Sequence, residues 1–203
     1  MPDQTKIQFL PAEMEMVSSP DVILTKNAIL EKIRLFLDEL QRKQATIINQ
    51  YFSFFPEEVL KISPKISRGE NYKGLPWLVL DYPRHFEHHN IFAIRTMFWW
   101  GNFFSITLHV SGRYKERVKT KMMENLATLA NNEVFIYNGE KEWEHDFDPG
   151  CYKKLTGVQK EELESIITKN TFLKMGVRIP ITSLVNLENK LCRDYELITK
   201  YCI

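Results

Sequence analysis

Two side chains suited to ligand binding or proton transfer lie in neighbouring apolar segments of this sequence. Arg95 interrupts the segment 91–100, and His109 lies in the segment 103–111. A guanidinium is a strong partner for anions, and an imidazole can act as a general acid or base near neutral pH. Arg95 therefore predicts either an anion-binding group in a cavity or a buried ion pair, with Asp81 or Glu70 as its carboxylate partner.

The two segments have the composition of β-strands, and Gly101-Asn102 between them predicts a hairpin with a two-residue loop. Side chains alternate between the two faces of a strand. With that loop, Arg95 lies on a face that is otherwise apolar. The opposite face combines aromatic, hydroxyl and imidazole side chains, among them Phe98, Trp100, Thr107 and His109.

Three interpretations of this aromatic face remain open. It is a half-solvated or helix-covered sheet face, the floor of a ligand pocket, or a surface that binds another protein. Neighbouring loops add polar side chains, because the segments 68–74 and 81–89 contribute a tyrosine, an arginine and a histidine. The ligand-binding candidates are Tyr72, Arg84, His85, Arg95, Phe98, Trp100, Thr107 and His109.

Two functions follow from these candidates, and neither comes with an assigned catalytic residue. The first is a non-catalytic binding or interaction module that uses the aromatic face. The second is an enzyme with an Arg/His pocket for a small metabolite. Arginine side chains in that pocket would bind an anionic metabolite. The segment 68–74 does not match a phosphate-binding loop, no Gly-x-Ser-x-Gly motif is present, and acidic neighbours argue against Cys151 as a nucleophile.

A cluster of imidazoles, His85, His88 and His89, lies around Glu87. Histidine is the commonest metal ligand, but the helical His-Glu-x-x-His spacing that places two imidazoles on one face is absent. The cluster therefore predicts a solvated loop, and we expect neither a metal site nor a cofactor.

Acidic residues surround His145 in a segment that resembles a weak strand. The segments 134–137 and 143–147 predict a second hairpin that turns at Asn138-Gly139. Because alternate strand residues point to opposite faces, we expect a charged edge there and no shared site.

Helical patterns occupy much of the remaining sequence. Ser19-Pro20 predicts the start of a long segment that ends before Pro56, with a break near Lys43-Gln44. Further helices are predicted over 113–130, over 159–169 and after Ser183, with strands at 77–82 and 172–181. The sequence thus predicts an α+β fold: a mostly antiparallel sheet with a central hairpin, packed by N-terminal, middle and C-terminal helices.

Composition and charge define the class of protein. The length, the 44% hydrophobic content and the net charge of +1 predict a single globular domain over 1–203, with 1–18 as a loosely ordered lead-in. The near-neutral charge argues against a nucleic-acid partner. No signal peptide and no membrane span are visible, and three scattered cysteines without zinc spacing favour the cytoplasm. The apolar stripe of the N-terminal helix predicts either packing on the sheet or a homodimer.

Overall fold

The chain combines helices with one antiparallel sheet in a computed structural model that describes residues 7–203. The helices of this range are α1 (Pro11–Ser18), α2 (Pro20–Gln50), α3 (Glu57–Leu60), α4 (Lys115–Glu124), α5 (Leu126–Asn131), α6 (Lys160–Lys169) and α7 (Leu187–Cys202). The strands are β1 (Lys65–Tyr72), β2 (Leu75–Phe86), β3 (Ile91–Trp99), β4 (Phe103–Ser111), β5 (Phe135–Tyr137), β6 (Tyr152–Lys154) and β7 (Phe172–Pro180).

The strands form a sheet in the order β1-β2-β3-β4-β7-β5-β6, and each neighbouring pair is antiparallel. The predicted α+β fold and its central hairpin, β3–β4, are confirmed. One side of the sheet, the helix face, packs against α2, α4 and α7. The other side, the strap face, is partly covered by the connection between β5 and β6, residues 138–151, which we call the strap.

The predicted pairing of the central hairpin is wrong by one residue. Trp99 pairs with Phe103, so the loop comprises residues 100–102. Gly101 in this loop has a φ of 72°, a conformation that residues with a side chain rarely adopt. A slip of one residue exchanges the faces of one strand relative to the other. As a result Arg95 pairs with Thr107 and shares the strap face with it, whereas Phe98 lies on the helix face.

The core of the helix face is mostly apolar and includes a buried polar contact between α2 and β3. Helix α2 runs without the predicted break near Lys43-Gln44, because Gln44 is fully buried and its Nε2 donates to the Thr96 hydroxyl at 2.8 Å. Oε1 of Gln44 has no partner within residues 7–203. The glutamine therefore belongs to the helix–sheet contact and does not interrupt the helix.

Other predicted boundaries also move. Residues 143–147 form part of the strap and not a strand, because β5 pairs with β6, which begins at Tyr152. The middle helix divides at Asn125 into α4 and α5. The last helix begins at Leu187 after Asn186, whose φ is 57°, and not directly after Ser183.

The N-terminal part of the described chain exposes apolar side chains. The predicted loose lead-in contains α1, and residues 1–6 lie outside the described range. Exposed apolar residues of α1 and the first turns of α2 include Met16, Val17, Ile23 and Leu24. Dimer formation through this region stays a prediction. Within residues 7–203, no helix has the length and apolar character that a membrane crossing requires.

Candidate ligand-binding cleft

The strap is fastened to the sheet by a buried lysine on β7. The side chain of Lys174 is fully buried, and its Nζ donates to the backbone carbonyl oxygen of Glu142 at 2.7 Å and to that of Glu144. The same Nζ lies 4.1 Å from the ring centroid of Tyr137. Burial, with the nearby Arg95 charge second, lowers the pKa of Lys174 to about 7, against the opposing effect of the strap carboxylates.

A second buried base makes contact with the strap from β4. His109 is buried, and its Nε2 lies 2.9 Å from a carboxylate oxygen of Glu142. Burial lowers the pKa of His109, whereas the hydrogen bond to His109 lowers the pKa of Glu142. We therefore assign a neutral imidazole that donates its Nε2 proton to an ionised Glu142.

Arg95 forms a two-bond ion pair at the centre of the strap face. Its Nε donates to Oδ1 of Asp81 at 2.8 Å and its Nη2 to Oδ2 at 3.0 Å. The partner predicted for Arg95 is thus confirmed as Asp81, while Glu70 pairs with Lys26. The side chains are 14% and 9% exposed, so the pair is mostly shielded from water but still reaches the surface of a cavity.

The third Arg95 contact determines the proton position on His145. Nη1 of Arg95 lies 2.8 Å from Nε2 of His145, and a guanidinium has no acceptor atom. Nε2 must therefore accept, which leaves the proton of the neutral imidazole on Nδ1. Burial, with the Arg95 charge second, lowers the pKa of His145 well below its usual value, in agreement with a neutral ring. Its Nδ1 is buried and has no hydrogen-bond partner within residues 7–203.

A cleft of about 340 Å³ lies between the sheet and the strap. One end is polar, with Asp81, Arg95 and His145, and the floor contains Val79 and Met97. The other end is aromatic and amide-bearing. Its lining side chains are Asn71, Tyr72 and Trp77, while Ser67 pairs with Val79 beside the floor. The size and the mixture of an apolar floor with a few polar groups are typical of small-molecule sites.

Tyr72 connects the aromatic end of the cleft to the strap. Its hydroxyl accepts a hydrogen bond from the His145 backbone N–H at 2.6 Å and donates to a carboxylate oxygen of Glu144 at 3.2 Å. Burial raises the pKa of Tyr72 to about 12, so the phenol stays protonated and can donate at neutral pH. The strap position and the cleft shape are therefore coupled through this side chain.

The structure brings together only some of the predicted candidates. Tyr72 and Arg95 line the cleft. Thr107 and His109 lie on the same sheet face but are buried. The others lie elsewhere: Arg84 donates to the Ser63 carbonyl, His85 contacts Tyr114, and Phe98 and Trp100 pack with the helix-face core.

The imidazole cluster of the sequence does not come together as a metal site. His88 and His89 are exposed and adjacent to each other, and within residues 7–203 no three potential ligands are grouped for a metal ion.

The candidates predicted from sequence omit several residues of the site, among them Trp77, Asp81, His145 and the strap-binding Lys174. His145 was placed on a charged strand edge where no shared site was expected, but the strap carries it over the sheet to Arg95. Lys174 lies in the middle of an apolar strand, and this position was itself a signal, because a lysine there must find buried acceptors. Asp81 was recognised as a partner for Arg95 but not as a cleft residue.

Other cavities have fewer unsatisfied polar groups. A space of about 310 Å³ between α2 and β1–β2 is lined by Arg34 and Asp38, which pair with each other at the surface. A smaller space of about 220 Å³ lies beside Tyr114, whose hydroxyl already donates to Glu58. The cleft beneath the strap is therefore the better candidate for a ligand site.

No protein-family model, curated protein or solved structure matches this chain.

Proposed function

We propose that this protein is a non-catalytic binding module that holds a small molecule in the cleft beneath the strap. The observation that carries the proposal is the polar end of the cleft. There Asp81, Arg95 and His145 are connected by hydrogen bonds, and a buried Nδ1–H of the histidine still lacks an acceptor. The Asp81–Arg95 pair also keeps free positions of both kinds, because one N–H remains on each Nη of Arg95 and a lone pair remains on each carboxylate oxygen of Asp81, so this end of the cleft can bind a polar group of a ligand.

The arrangement of protons favours binding over catalysis. A general base needs a free lone pair, but Nε2 of His145 accepts from Arg95 and Nδ1 carries the proton. His109, the acid or base of the enzyme hypothesis, is buried and bonded to Glu142. The aromatic contact surface predicted for a binding module is also buried, since Phe98 lies beneath the helices. These observations support the cleft as the binding surface.

The proposal is tested by a fragment screen that follows the protein by NMR, with two matched variants. Ser67→Phe places a ring in the cleft, whereas Arg68→Phe places the same ring one residue further along β1, beside the cavity that faces α2. We expect fragments that shift the signals of Arg95 and His145 to bind the wild type and Arg68→Phe equally. Ser67→Phe should abolish their binding.

Two results would contradict the proposed function. One is a screen in which no fragment perturbs the cleft at millimolar concentration. The other is a set of hits whose affinity Ser67→Phe leaves unchanged, because their site would then lie elsewhere.

We also propose a reducing compartment such as the cytoplasm. In support, Cys151, Cys192 and Cys202 are all free thiols. Burial raises the pKa of Cys192 and Cys202, which keeps them in the unreactive thiol form.

A further inference from the structure

Resting on the proposed function, we infer that the ligand is an uncharged planar ring that carries a carboxamide-like group, with an N–H donor beside an oxygen acceptor. Nucleobases, lactams and aromatic amides share this chemistry. The inference depends on three properties of the cleft: its charge balance, its free hydrogen-bonding positions and its aromatic end.

The charged groups that line the cleft are one carboxylate and one guanidinium, and they neutralise each other. Asp81 and Arg95 are joined by two short hydrogen bonds in a mostly buried position. An anionic ligand would meet Asp81 and compete with it for Arg95. A cationic ligand would meet Arg95 and compete for Asp81. An uncharged ligand avoids both repulsions, which are strong where water is excluded.

The ion pair retains hydrogen-bonding capacity of both kinds. A guanidinium has five N–H donors, and the three contacts to Asp81 and His145 leave one N–H on each Nη of Arg95. Each carboxylate oxygen of Asp81 has a further lone pair. A carboxamide-like edge is complementary to this pair, because its N–H can donate to Asp81 while its carbonyl accepts from Arg95.

The opposite end of the cleft suits a flat ring. The indole of Trp77 packs against Gly69, where a Cβ atom would lie 2.6 Å from the ring. Its neighbour Trp99 pairs with the rings of Tyr72 and Phe103, whereas Trp77 enters no ring pair within residues 7–203. Trp77 lines the cleft and is partly exposed, so a ligand ring can stack there above the apolar side chains of Val79 and Met97.

Three probes of nearly equal shape separate the possibilities: benzamide, which is neutral, benzoate, which is anionic, and benzamidinium, which is cationic. Their dissociation constants are measured by NMR titration at pH 7.5 with the full chain. We expect benzamide to shift the signals around Arg95 and Trp77 and to bind at least about tenfold more tightly than either charged probe.

Two variants test the assignment of the groups. Asp81→Asn leaves the Arg95 charge unopposed, so the preference should move to benzoate. If Asp81→Asn does not fold, Trp77→Leu serves instead and should weaken benzamide binding about tenfold, since stacking on an aromatic ring is lost. Arg68→Leu, which changes the side chain next to Ser67 on β1, should leave all three affinities unchanged.

The outcomes distinguish failure of the inference from failure of the proposed function. Tighter binding of benzoate or benzamidinium in the cleft would overturn the uncharged-ligand inference and leave a binding function in place. Absence of binding by all three, together with a fragment screen that finds no cleft ligand, would overturn both.

Discussion

Replacement of the buried lysine beneath the strap should change how stability depends on pH. Lys174 is fully buried and its pKa is lowered to about 7. The charged or titratable groups around it are Arg95, His109, Tyr137, Glu142, Glu144, His145, Asp146 and Tyr152. In the unfolded chain a lysine keeps its proton up to about pH 10.4. Between these values the unfolded chain therefore holds about one more proton than the folded chain.

The free energy of unfolding must consequently rise with pH in this interval. One proton contributes about 1.4 kcal/mol per pH unit. Between about pH 7.5 and about pH 9.5, Lys174 should therefore add about 2.5 kcal/mol to the stability of the wild type. In Lys174→Met this contribution disappears. The free energy of unfolding of the wild type minus that of the variant should therefore increase by that amount between the two pH values. Below pH 7 the folded protein must hold a buried charge, so Lys174 adds no such contribution to stability there.

Urea unfolding measured by tryptophan fluorescence at a series of pH values gives the required free energies. The other titrating groups are common to both proteins and cancel in the difference. Lys160→Met removes an exposed lysine and should follow the wild-type curve. Parallel curves for wild type and Lys174→Met would refute the reasoning, because the amine would then titrate as it does in water.

Three further predictions concern the buried contacts of the sheet. Arg95→Met leaves the Asp81 carboxylate without its partner and should lower the free energy of unfolding, measured with urea, by about 3 kcal/mol. Adding Asp81→Asn to the same chain removes the unpaired charge and should restore part of that loss. Gly176→Ala places a Cβ atom 2.3 Å from the Ile106 carbonyl oxygen and should lower the free energy of unfolding by about 1–3 kcal/mol. The control Gly150→Ala meets only a carboxylate oxygen of Asp148 and should lower it less, so equal urea midpoints for the two variants would contradict this prediction. Gln44→Leu alone should lower the free energy of unfolding by about 1–3 kcal/mol, because the Thr96 hydroxyl loses its partner. The double variant Gln44→Leu with Thr96→Val should come within about 1 kcal/mol of wild type, and a large loss of stability in it would disprove the account of this contact.

Local patterns predicted the elements of this fold well, and their failures have physical causes. The strands of the central hairpin were found from their composition and the intervening glycine. Their register was not, because a two-residue and a three-residue loop have the same sequence signal, and the loop length decides which faces meet. That one-residue difference moved Phe98 away from Thr107 and His109.

The candidate site was only partly predictable for a different reason. A buried Arg95 requires a carboxylate partner, and the sequence offers Asp81 and Glu70, of which the structure shows Asp81. His145 could not be assigned in the same way, since its position depends on the path of the strap over the sheet. That path is determined by long-range contacts, such as those of Lys174 and Tyr72, which no local periodicity reports.

The most direct test of the cleft as a ligand site is a crystal structure of the protein soaked with benzamide. The account predicts electron density for the amide group against the intact Asp81–Arg95 pair, with the ring stacked on Trp77. Density for benzamide only at other surfaces, with ordered water alone in the cleft, would contradict it.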